Sequence, residues 1–299
     1  MHQEEPANPD MTGEEVEHAL VALEARMGRT HARLRLGIER DHEAWVFGQG
    51  LNFFHIENWY SGHSLFRKFL KATGLYWLGR RNCTRIQVRH NTVRLANLPP
   101  AFDGFTLLHL SDLHVDMSEP AMYRLIELLH QVEYDACVLT GDYRAATSGP
   151  YEAALAGMQR IRTHLKNPVY AVLGNHDTIR MLPGLEEMGI RMLLNESCRI
   201  ERGGQHLHLA GIDDAHYYRV DNIEKAVSGI PEEACSILLT HTPEIFRQAA
   251  YANFDLLLCG HTHGGQICLP GRVPITLDSV LPRYMGSGAW KYHHMTGYT

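Results

Sequence analysis

The sequence predicts an α/β protein, because short apolar runs alternate along the chain with segments of helical amphipathicity. Continuous apolar runs bounded by turn residues are typical of strands buried on both faces of a sheet. Between such runs, residues 121–132 and 151–165 have the apolar spacing of helices that pack on a sheet. The predicted strands are 105–110, 136–139, 169–173, 190–194, 198–212 (with a hairpin turn at Gly203-Gly204), 237–239 and 254–259, and further helices are predicted at 222–228 and 243–251.

Polar clusters follow five of these predicted strands, near the point where each apolar run ends. In open α/β sheets the functional site lies at the carboxyl ends of the strands, so we expect the clusters to converge in space. They contain carboxylate, imidazole and carboxamide groups, which are ligands for divalent metal ions. The clusters are Asp112-x-His114, Gly141-Asp142, Gly174-Asn175-His176-Asp177, Thr240-His241 and Gly260-His261-Thr262-His263.

This ligand set predicts two divalent ions about 3.5–4 Å apart, which can clamp the attacking and leaving oxygens of a displacement at phosphorus. One carboxylate must then bridge the ions. We assign that role to Asp142, because the preceding Gly141 lets backbone and metals approach closely. The mixture of nitrogen and oxygen ligands leaves the metal open; manganese is preferred, with zinc, iron and magnesium as alternatives. The predicted metal ligands are Asp112, His114, Asp142, Asn175, His241, His261 and His263.

In this order the clusters resemble the motif series of the calcineurin-like metallophosphoesterases, over roughly residues 105–299. The resemblance implies a four-layer sandwich in which two mixed β-sheets pack face to face with helices outside. It places one metal on Asp112, His114, Asp142 and His263, and the other on Asp142, Asn175, His241 and His261. Residues 264–266, Gly-Gly-Gln, are similar to a bacterial branch that acts at membranes on lipid-linked phosphoesters, including a UDP-diacylglucosamine pyrophosphatase.

The resemblance also implies a mechanism, hydrolysis by a metal-bridging hydroxide, since metals lower the pKa of bound water toward neutrality. His176 matches the additional histidine of the family, which would face the leaving-group oxygen as general acid or stabilise charge in the transition state. Asp177 would orient a neighbouring group. Arg144 would contact a phosphoryl oxygen or be a surface arginine, and His216 would line the cleft or have no functional role.

Length and composition are those of a globular protein with one large domain and an appendage. The chain has 299 residues and a formal net charge of -6, yet residues 59–100 contain eight basic and no acidic side chains. Such an asymmetry favours an anionic partner for this region. Six cysteines without close pairs indicate free thiols in a reducing compartment, and neither a signal peptide nor a membrane-spanning apolar run is visible. We therefore expect a cytoplasmic protein that is peripheral on the inner membrane.

Residues 1–100 are predicted to form an extension, and residues 101–299 the catalytic domain. Within the extension, residues 1–12 are expected to be disordered, and residues 14–40 to form a helix that either pairs with a partner or packs on the domain. Residues 84–98 alternate in polarity, which predicts a hairpin.

The segment 51–81 is rich in aromatic and basic side chains, so it would lie in a membrane interface or cap the active site. Members of the family usually continue past the position of Thr299 with strands that close the second sheet. The ending is therefore either natural, with a short sheet, or a truncation.

These observations favour a dimetal phosphoesterase that acts on a lipid-linked phosphodiester or pyrophosphate at the membrane surface. A nuclease or a cyclic-nucleotide phosphodiesterase of the same fold is the first alternative, although a nucleic acid is the less favoured partner. A binding module that has lost catalysis is the second, and it is disfavoured because every expected ligand is present. The oligomeric state stays open.

Overall fold

The computed structural model describes residues 13–47, 68, 70–265, 268–269, 273–274, 277 and 279–299. Three predictions lie wholly or mostly outside this range: the disordered start at 1–12, most of the aromatic segment 51–81, and Gln266. The helices are α1 Gly13–Met27, α2 Arg29–Phe47, α3 Leu75–Cys83, α4 Glu119–Leu129, α5 Glu152–Arg162, α6 Leu182–Glu187, α7 Ile223–Val227 and α8 Phe246–Tyr251. The strands are β1 Leu107–Leu110, β2 Ala136–Thr140, β3 Val169–Val172, β4 Arg191–Met192, β5 Glu196–Arg202, β6 Gln205–Gly211, β7 Ser236–Leu239, β8 Leu256–Leu258, β9 Cys268–Leu269, β10 Val273–Pro274, β11 Ala289–Tyr292 and β12 Met295–Tyr298.

Two main sheets carry the fold, as the sequence predicted. The first has the order β1-β2-β3-β4, and its described pairings are all parallel. The second has the order β11-β12-β8-β7-β6-β5 and mixes parallel with antiparallel pairs. Strands β9 and β10 form a separate antiparallel pair. Strands β5 and β6 are joined by the predicted hairpin turn, where Gly203 and Gly204 both have positive φ, as a two-residue turn of the favoured type requires.

The core explains why the central strands are apolar throughout. In β2, Ala136 and Val138 face the second sheet, whereas Cys137 and Leu139 pack in the cluster beneath the helices of the first sheet. The outer face of the second sheet is covered in the same way, since Leu238 packs with side chains of α7 and α8. Helices, sheet, sheet and helices therefore form four successive layers, and the predicted fold class is confirmed.

The predicted N-terminal helix is divided in two. Helix α1 ends at Met27 and α2 begins at Arg29, because Gly28 between them has a φ of +90° and interrupts the helical backbone. Leu23, Met27 and Ala32 are buried in the same cluster as the helices that cover the first sheet. Within the described residues, α1 and α2 are thus packed on the sandwich, which is the second of the two alternatives for this segment.

The predicted hairpin at 84–98 does not form, since residues 85–95 belong to neither a helix nor a strand. Their apolar side chains are anchored on two different clusters: Ile86 packs against the helix-covered cluster, whereas Val93 and Leu95 pack between the two sheets. The chain therefore runs along the sandwich instead of folding back on itself. The division of the chain at residue 100 stays a prediction.

Candidate metal centre

The predicted ligands follow strands of both sheets at their carboxyl ends. Asp112 and His114 come after β1, Asp142 after β2 and Asn175 after β3, whereas the remaining histidines come after β7 and β8. The structure brings them into two groups that share Asp142, and the candidate ligand atoms of each group lie within 4.8 Å of one another. The first group is Asp112, His114, Asp142 and His263, and the second is Asp142, His241 and His261. Asn175 joins the second group, because its Oδ1 lies 2.9 Å from Nδ1 of His261.

Asp142 lies at the middle of this arrangement. Its Oδ2 is 3.2 Å from Nε2 of His241, 3.9 Å from Nε2 of His176 and 4.0 Å from Nε2 of His114. The second carboxylate, Asp112, places Oδ1 3.0 Å from Nε2 of His263. The centre is therefore two carboxylates surrounded by imidazoles, and the bridging role of Asp142 stays a prediction.

Backbone carbonyls orient the imidazoles. The Nδ1 atoms of His114, His241 and His176 lie 2.7, 2.7 and 2.9 Å from the carbonyl oxygens of Arg144, Thr140 and Ala145. A ring whose Nδ1–H donates to a carbonyl has its lone pair on Nε2, and such contacts typically orient metal-binding histidines. All three Nε2 atoms then face Asp142.

The charges of the centre depend on one another. Burial acts to raise the pKa of Asp142, but the imidazoles of His241, His176 and His114 hold it well below its usual value. Burial acts on Asp112 in the same way, yet its histidine neighbours lower its pKa to about 2. For His241 burial acts to lower the pKa, and the two carboxylates raise it to about 10. The buried carboxylates thus require positive charge close by, which a cation or a proton can provide.

The donor set fits divalent ions. Pairs of imidazole nitrogens face each other at the centre: Nε2 of His114 is 3.5 Å from Nε2 of His263, and Nδ1 of His261 is 3.3 Å from Nε2 of His241. The buried Nδ2 of Asn175 has no hydrogen-bond partner. A cation between the facing nitrogens would satisfy their lone pairs. Imidazole, carboxylate and carboxamide oxygen are the ligands that mixed dimetal sites use.

The backbone at the centre is unusual in two ways. Five of the predicted ligands have positive φ, between 38° and 70°, a conformation that is uncommon for residues with a side chain. Gly141 and Gly174 meet backbone to backbone, because a Cβ on Gly141 would lie 2.5 Å from the nitrogen of Gly174. The five ligands with positive φ are Asp112, His114, Asp142, His261 and His263.

Asp177 joins the two strand ends that hold Asp142 and Asn175. Its Oδ2 accepts from the backbone N–H of Asp142 and Gly174 at 2.8 and 2.9 Å, and its Oδ1 accepts from Tyr143 at 2.8 Å. Burial and the Asp142 carboxylate raise the pKa of Asp177 to about 6, against the lowering effect of these N–H donors. The structure thus gives Asp177 an orienting geometry of the kind that the sequence suggested.

Arg144 and His216, the two predicted substrate contacts, both lie close to the centre. Arg144 is buried, and its guanidinium donates to the carbonyl oxygens of His176, Gly149 and Thr147 at 2.7, 2.7 and 2.8 Å. It is therefore not a surface arginine. The ring centroid of His216 lies 4.5 Å from that of His261, and its Nδ1 lies 2.9 Å from a carboxylate oxygen of Glu244. Contact of either residue with substrate stays a prediction.

Sequence reasoning missed two residues that contact the loop after His176. Arg35 and Glu39 of α2 are buried and hydrogen-bonded to residues 177–179. The only sequence signal was an Arg and a Glu four residues apart on a helix, a pattern that usually marks a solvent-exposed pair. Their burial depends on how α2 docks, which a local pattern does not encode.

The comparisons with known proteins show the family to which the chain belongs. The family model described as calcineurin-like phosphoesterase matches residues 105–265, which is more than half of the chain. The chain belongs to the calcineurin-like phosphoesterase family, and it is a metal-dependent hydrolase of phosphoesters. The resemblance stated from the motifs is confirmed at the level of the family.

The chain is similar to other proteins of this family, among them two relatives and one solved structure. YkoQ of Bacillus subtilis (strain 168), described as an uncharacterized metallophosphoesterase, is 31% identical over 223 residues, which cover 72% of this chain and 81% of that protein. A protein of Bos taurus described as a transmembrane protein with metallophosphoesterase domain is 31% identical over 197 residues, 58% of this chain but only 44% of its own length. Among solved structures, the calcineurin-like phosphoesterase YfkN of Bacillus subtilis matches with a TM-score of 0.39 and 15% identity, over 53% of this chain and 72% of that one.

Proposed function

We propose that this protein hydrolyses a phosphodiester or pyrophosphate attached to a lipid, at the surface of a membrane. The metal-dependent hydrolysis follows from the family and the centre; the lipid and the membrane are the new part. The observation that carries the proposal is helix α3, which has no buried residue. Its apolar side chains Leu75, Trp77 and Leu78 are 48%, 61% and 50% exposed.

The composition of α3 and its surroundings suits an anionic lipid surface. Arg80 and Arg81 lie in its last turn, and Lys71, just before the helix, is exposed as well. An amphipathic helix with an aromatic residue and basic side chains binds the interface through apolar burial and attraction to anionic headgroups. No described helix is long and apolar enough to cross a bilayer, so any contact of the described helices with lipid would be peripheral.

At the centre we assign a role to each group of residues. The two groups that share Asp142 would hold two divalent ions, manganese by preference, and such ions would supply a hydroxide near neutral pH. His176 presents Nε2 toward Asp142, while the carbonyl of Ala145 holds its Nδ1 at 2.9 Å. Its side chain is 18% exposed, so a leaving-group oxygen could reach it. We assign it the protonation of that oxygen or the stabilisation of its charge.

A substrate panel with manganese, zinc or magnesium tests the proposal. It compares a lipid pyrophosphate in vesicles, the same headgroup without its acyl chains, a cyclic nucleotide and single-stranded DNA. We expect manganese-dependent turnover of the lipid substrate, a higher kcat/KM for it than for the soluble headgroup, and loss of turnover in Asp142→Ala.

The other outcomes separate the alternatives. Preferential cleavage of DNA, with binding that weakens steeply as salt is added, would replace the proposal by a nuclease. Preferential hydrolysis of the cyclic nucleotide would replace it by a cyclic-nucleotide phosphodiesterase. Equal turnover of the lipid and the soluble headgroup would remove the membrane part and leave the hydrolase.

A further inference from the structure

Helix α2 inserts a charged side chain into the protein directly behind the metal centre. Arg35 is completely buried, and the ring centroid of Tyr218 lies 3.5 Å from the carbon of its guanidinium. The guanidinium donates to Oε1 of Glu39 at 2.8 Å, to Oδ1 of Asp213 at 3.0 Å and to the backbone oxygen of Asp177 at 2.7 Å. Three partners from three different segments therefore converge on one side chain.

Glu39, one turn further along α2, contacts the same loop. Its Oε2 accepts from the hydroxyl of Thr178 at 2.6 Å, and its Oε1 accepts from the backbone N–H of Ile179 at 2.8 Å. Arg35 and Glu39 together thus hold three consecutive residues, 177–179, which begin immediately after His176. We call these two residues and their contacts to 177–179 the α2 clamp.

The loop that the α2 clamp holds is connected to the bridging carboxylate. The backbone N–H of His176 donates to Oδ1 of Asp142 at 2.9 Å, and the side chain of Asp177 accepts from the N–H of Asp142 at 2.8 Å. The carbonyl of His176 accepts from Nε of Arg144 at 2.7 Å. A displacement of residues 177–179 would therefore move His176 relative to Asp142.

Arg35 also reaches the second sheet. Its partner Asp213 lies just after β6, in the loop that continues to His216 beside His261. The other oxygen of Asp213 is 2.8 Å from Nε2 of His31. One guanidinium thus joins the loop after β3 in the first sheet to the loop after β6 in the second.

A purely structural role does not require these groups. Replacing a buried ion pair by well-packed apolar residues is often neutral or stabilising, because desolvation of the charges offsets their attraction. Helices α1 and α2 already pack on the sandwich through the apolar side chains of Leu23, Met27 and Ala32. A buried arginine with three directed hydrogen bonds provides geometric specificity that apolar packing lacks.

We propose that Arg35 and Glu39 are positioning residues of the hydrolase: through residues 177–179 they hold His176 in place against Asp142, which makes α2 part of the catalytic unit. The inference rests on the role of His176 assigned under the proposed function. Neither residue touches substrate; both act through the loop. A lysine at position 35 keeps the charge but cannot reach three partners with a planar fork.

The experiment compares Arg35→Lys with Arg33→Lys, the same substitution at an exposed arginine of the same helix, which contacts Glu24 instead. Metal content per chain is measured for each variant, and kcat and KM are referred to the metal-loaded fraction at a temperature well below unfolding. We expect Arg35→Lys to retain its metal and its KM within about twofold, and to lose about 10–100-fold in kcat, the size typical of residues that orient a site from behind. Arg33→Lys should match the unsubstituted protein.

A double-mutant cycle with His176→Ala separates positioning from a general loss of structure. If Arg35 acts through His176, Arg35→Lys has little further effect on kcat once His176 is absent. Three results would each overturn the proposal. The first is a double variant whose loss in kcat is the product of the two single losses; the others are an unchanged kcat in Arg35→Lys and a loss of metal in proportion to the loss of activity.

Amide hydrogen exchange provides a readout that does not need turnover. In Arg35→Lys the N–H groups of residues 142–144 and 174–179 should exchange about tenfold faster, with the rest of the sandwich unchanged, because local opening sets their protection. Should the protein hydrolyse no phosphoester at all, the proposed function fails while this measurement still decides the clamp. Unaltered exchange in these two segments would show that the clamp does not hold the loop.

Discussion

Oδ2 of Asp142 lies 3.2 Å from Nε2 of His241, although the two residues follow strands of different sheets. His241 also places Nδ1 2.7 Å from the carbonyl of Thr140, the last residue of β2. The histidine of the second sheet is thus held by the end of a strand of the first. The metal centre therefore depends on the packing between the sheets, and substitutions that disturb this packing should appear first as a loss of metal.

Asp142→Asn tests the shared carboxylate. The amide keeps the shape but loses the charge on which the surrounding imidazoles depend, so we expect fewer metal ions per chain than in the unsubstituted protein. We also expect kcat/KM to fall about a thousandfold, which corresponds to a loss of about 4 kcal/mol of transition-state stabilisation. Metal analysis and turnover of a soluble phosphodiester measure both effects. The exposed Asp103→Asn serves as control, and full metal occupancy in Asp142→Asn would contradict the bridging assignment.

His176→Asn should separate catalysis from metal binding. The carbonyl of Ala145 fixes Nδ1 of His176, and the ring is not a member of either ligand group. We expect an unchanged metal content and a kcat lower by about 100–10,000-fold, the usual contribution of a positioned acid or base. His294→Asn, at an exposed position of the β11–β12 turn, is the matched control. Loss of metal in His176→Asn would instead identify this residue as a ligand.

The buried imidazole of His109 should make the free energy of unfolding depend on pH. Burial lowers the pKa of this histidine to about 4, against the opposing effect of Asp112, and the unfolded value is 6.5. Between these values the unfolded chain binds a proton that the folded chain does not. The free energy of unfolding therefore has its full value above pH 6.5. It decreases as the pH falls toward 4, by about 3 kcal/mol in total.

His109→Gln removes this titration. A glutamine can still hydrogen-bond to the hydroxyl of Thr140, which lies 2.8 Å from Nε2 of His109. We expect the difference in the free energy of unfolding between pH 7 and pH 4 to shrink by about 3 kcal/mol. Denaturant titrations in EDTA exclude a contribution from metal release. The same difference in both proteins would mean that His109 is protonated in the folded chain.

Gly174→Ala should damage the centre through the backbone. A Cβ at this position would lie 2.2 Å from Oδ1 of Asp142 and 2.6 Å from its nitrogen. We expect destabilisation by about 1–3 kcal/mol, as in overpacked cores, together with weaker metal binding. Gly37→Ala in α2 is the control: its Cβ would meet nothing within 4 Å, and alanine should stabilise a helix by about 1 kcal/mol. Thermal unfolding and metal titration measure both variants.

Membrane binding through α3 is tested by replacing Arg80 and Arg81 together with glutamine. Each basic residue near an anionic surface contributes about 1 kcal/mol, so the double variant should bind anionic vesicles about thirtyfold more weakly. Binding to neutral vesicles and turnover of a soluble substrate should not change. Flotation with both types of vesicle measures the partition. Equal binding of both proteins to anionic vesicles would contradict a role of α3 in the interface.

The sequence revealed the metal centre because each central strand breaks from apolar to polar residues at its carboxyl end. That local change places Asp142 and His241 at strand ends, and the general rule for open sheets brings such ends together. The break at Gly28 was missed because the apolar spacing continues across it. Residues 85–95 alternate as a strand does, but whether a strand forms depends on a partner that only the tertiary structure supplies.

Arg35 was missed for a related reason. A charged residue on a helix is nearly always exposed, and its burial becomes favourable only when partners from distant segments converge on it. Those partners, Asp213 and the carbonyl of Asp177, lie 178 and 142 positions further along the chain. No local pattern connects them with α2.

The left-handed backbone at five ligands, among them Asp142 and His261, limits how this chemistry could be transplanted. Each such residue costs about 1–2 kcal/mol relative to an ordinary conformation. A short peptide that carries the motif would relax into an ordinary conformation and let its ligands drift apart. A graft that retains function would have to include the strand ends and the layers that enforce them, since the coordination geometry is a property of the scaffold as much as of the motif.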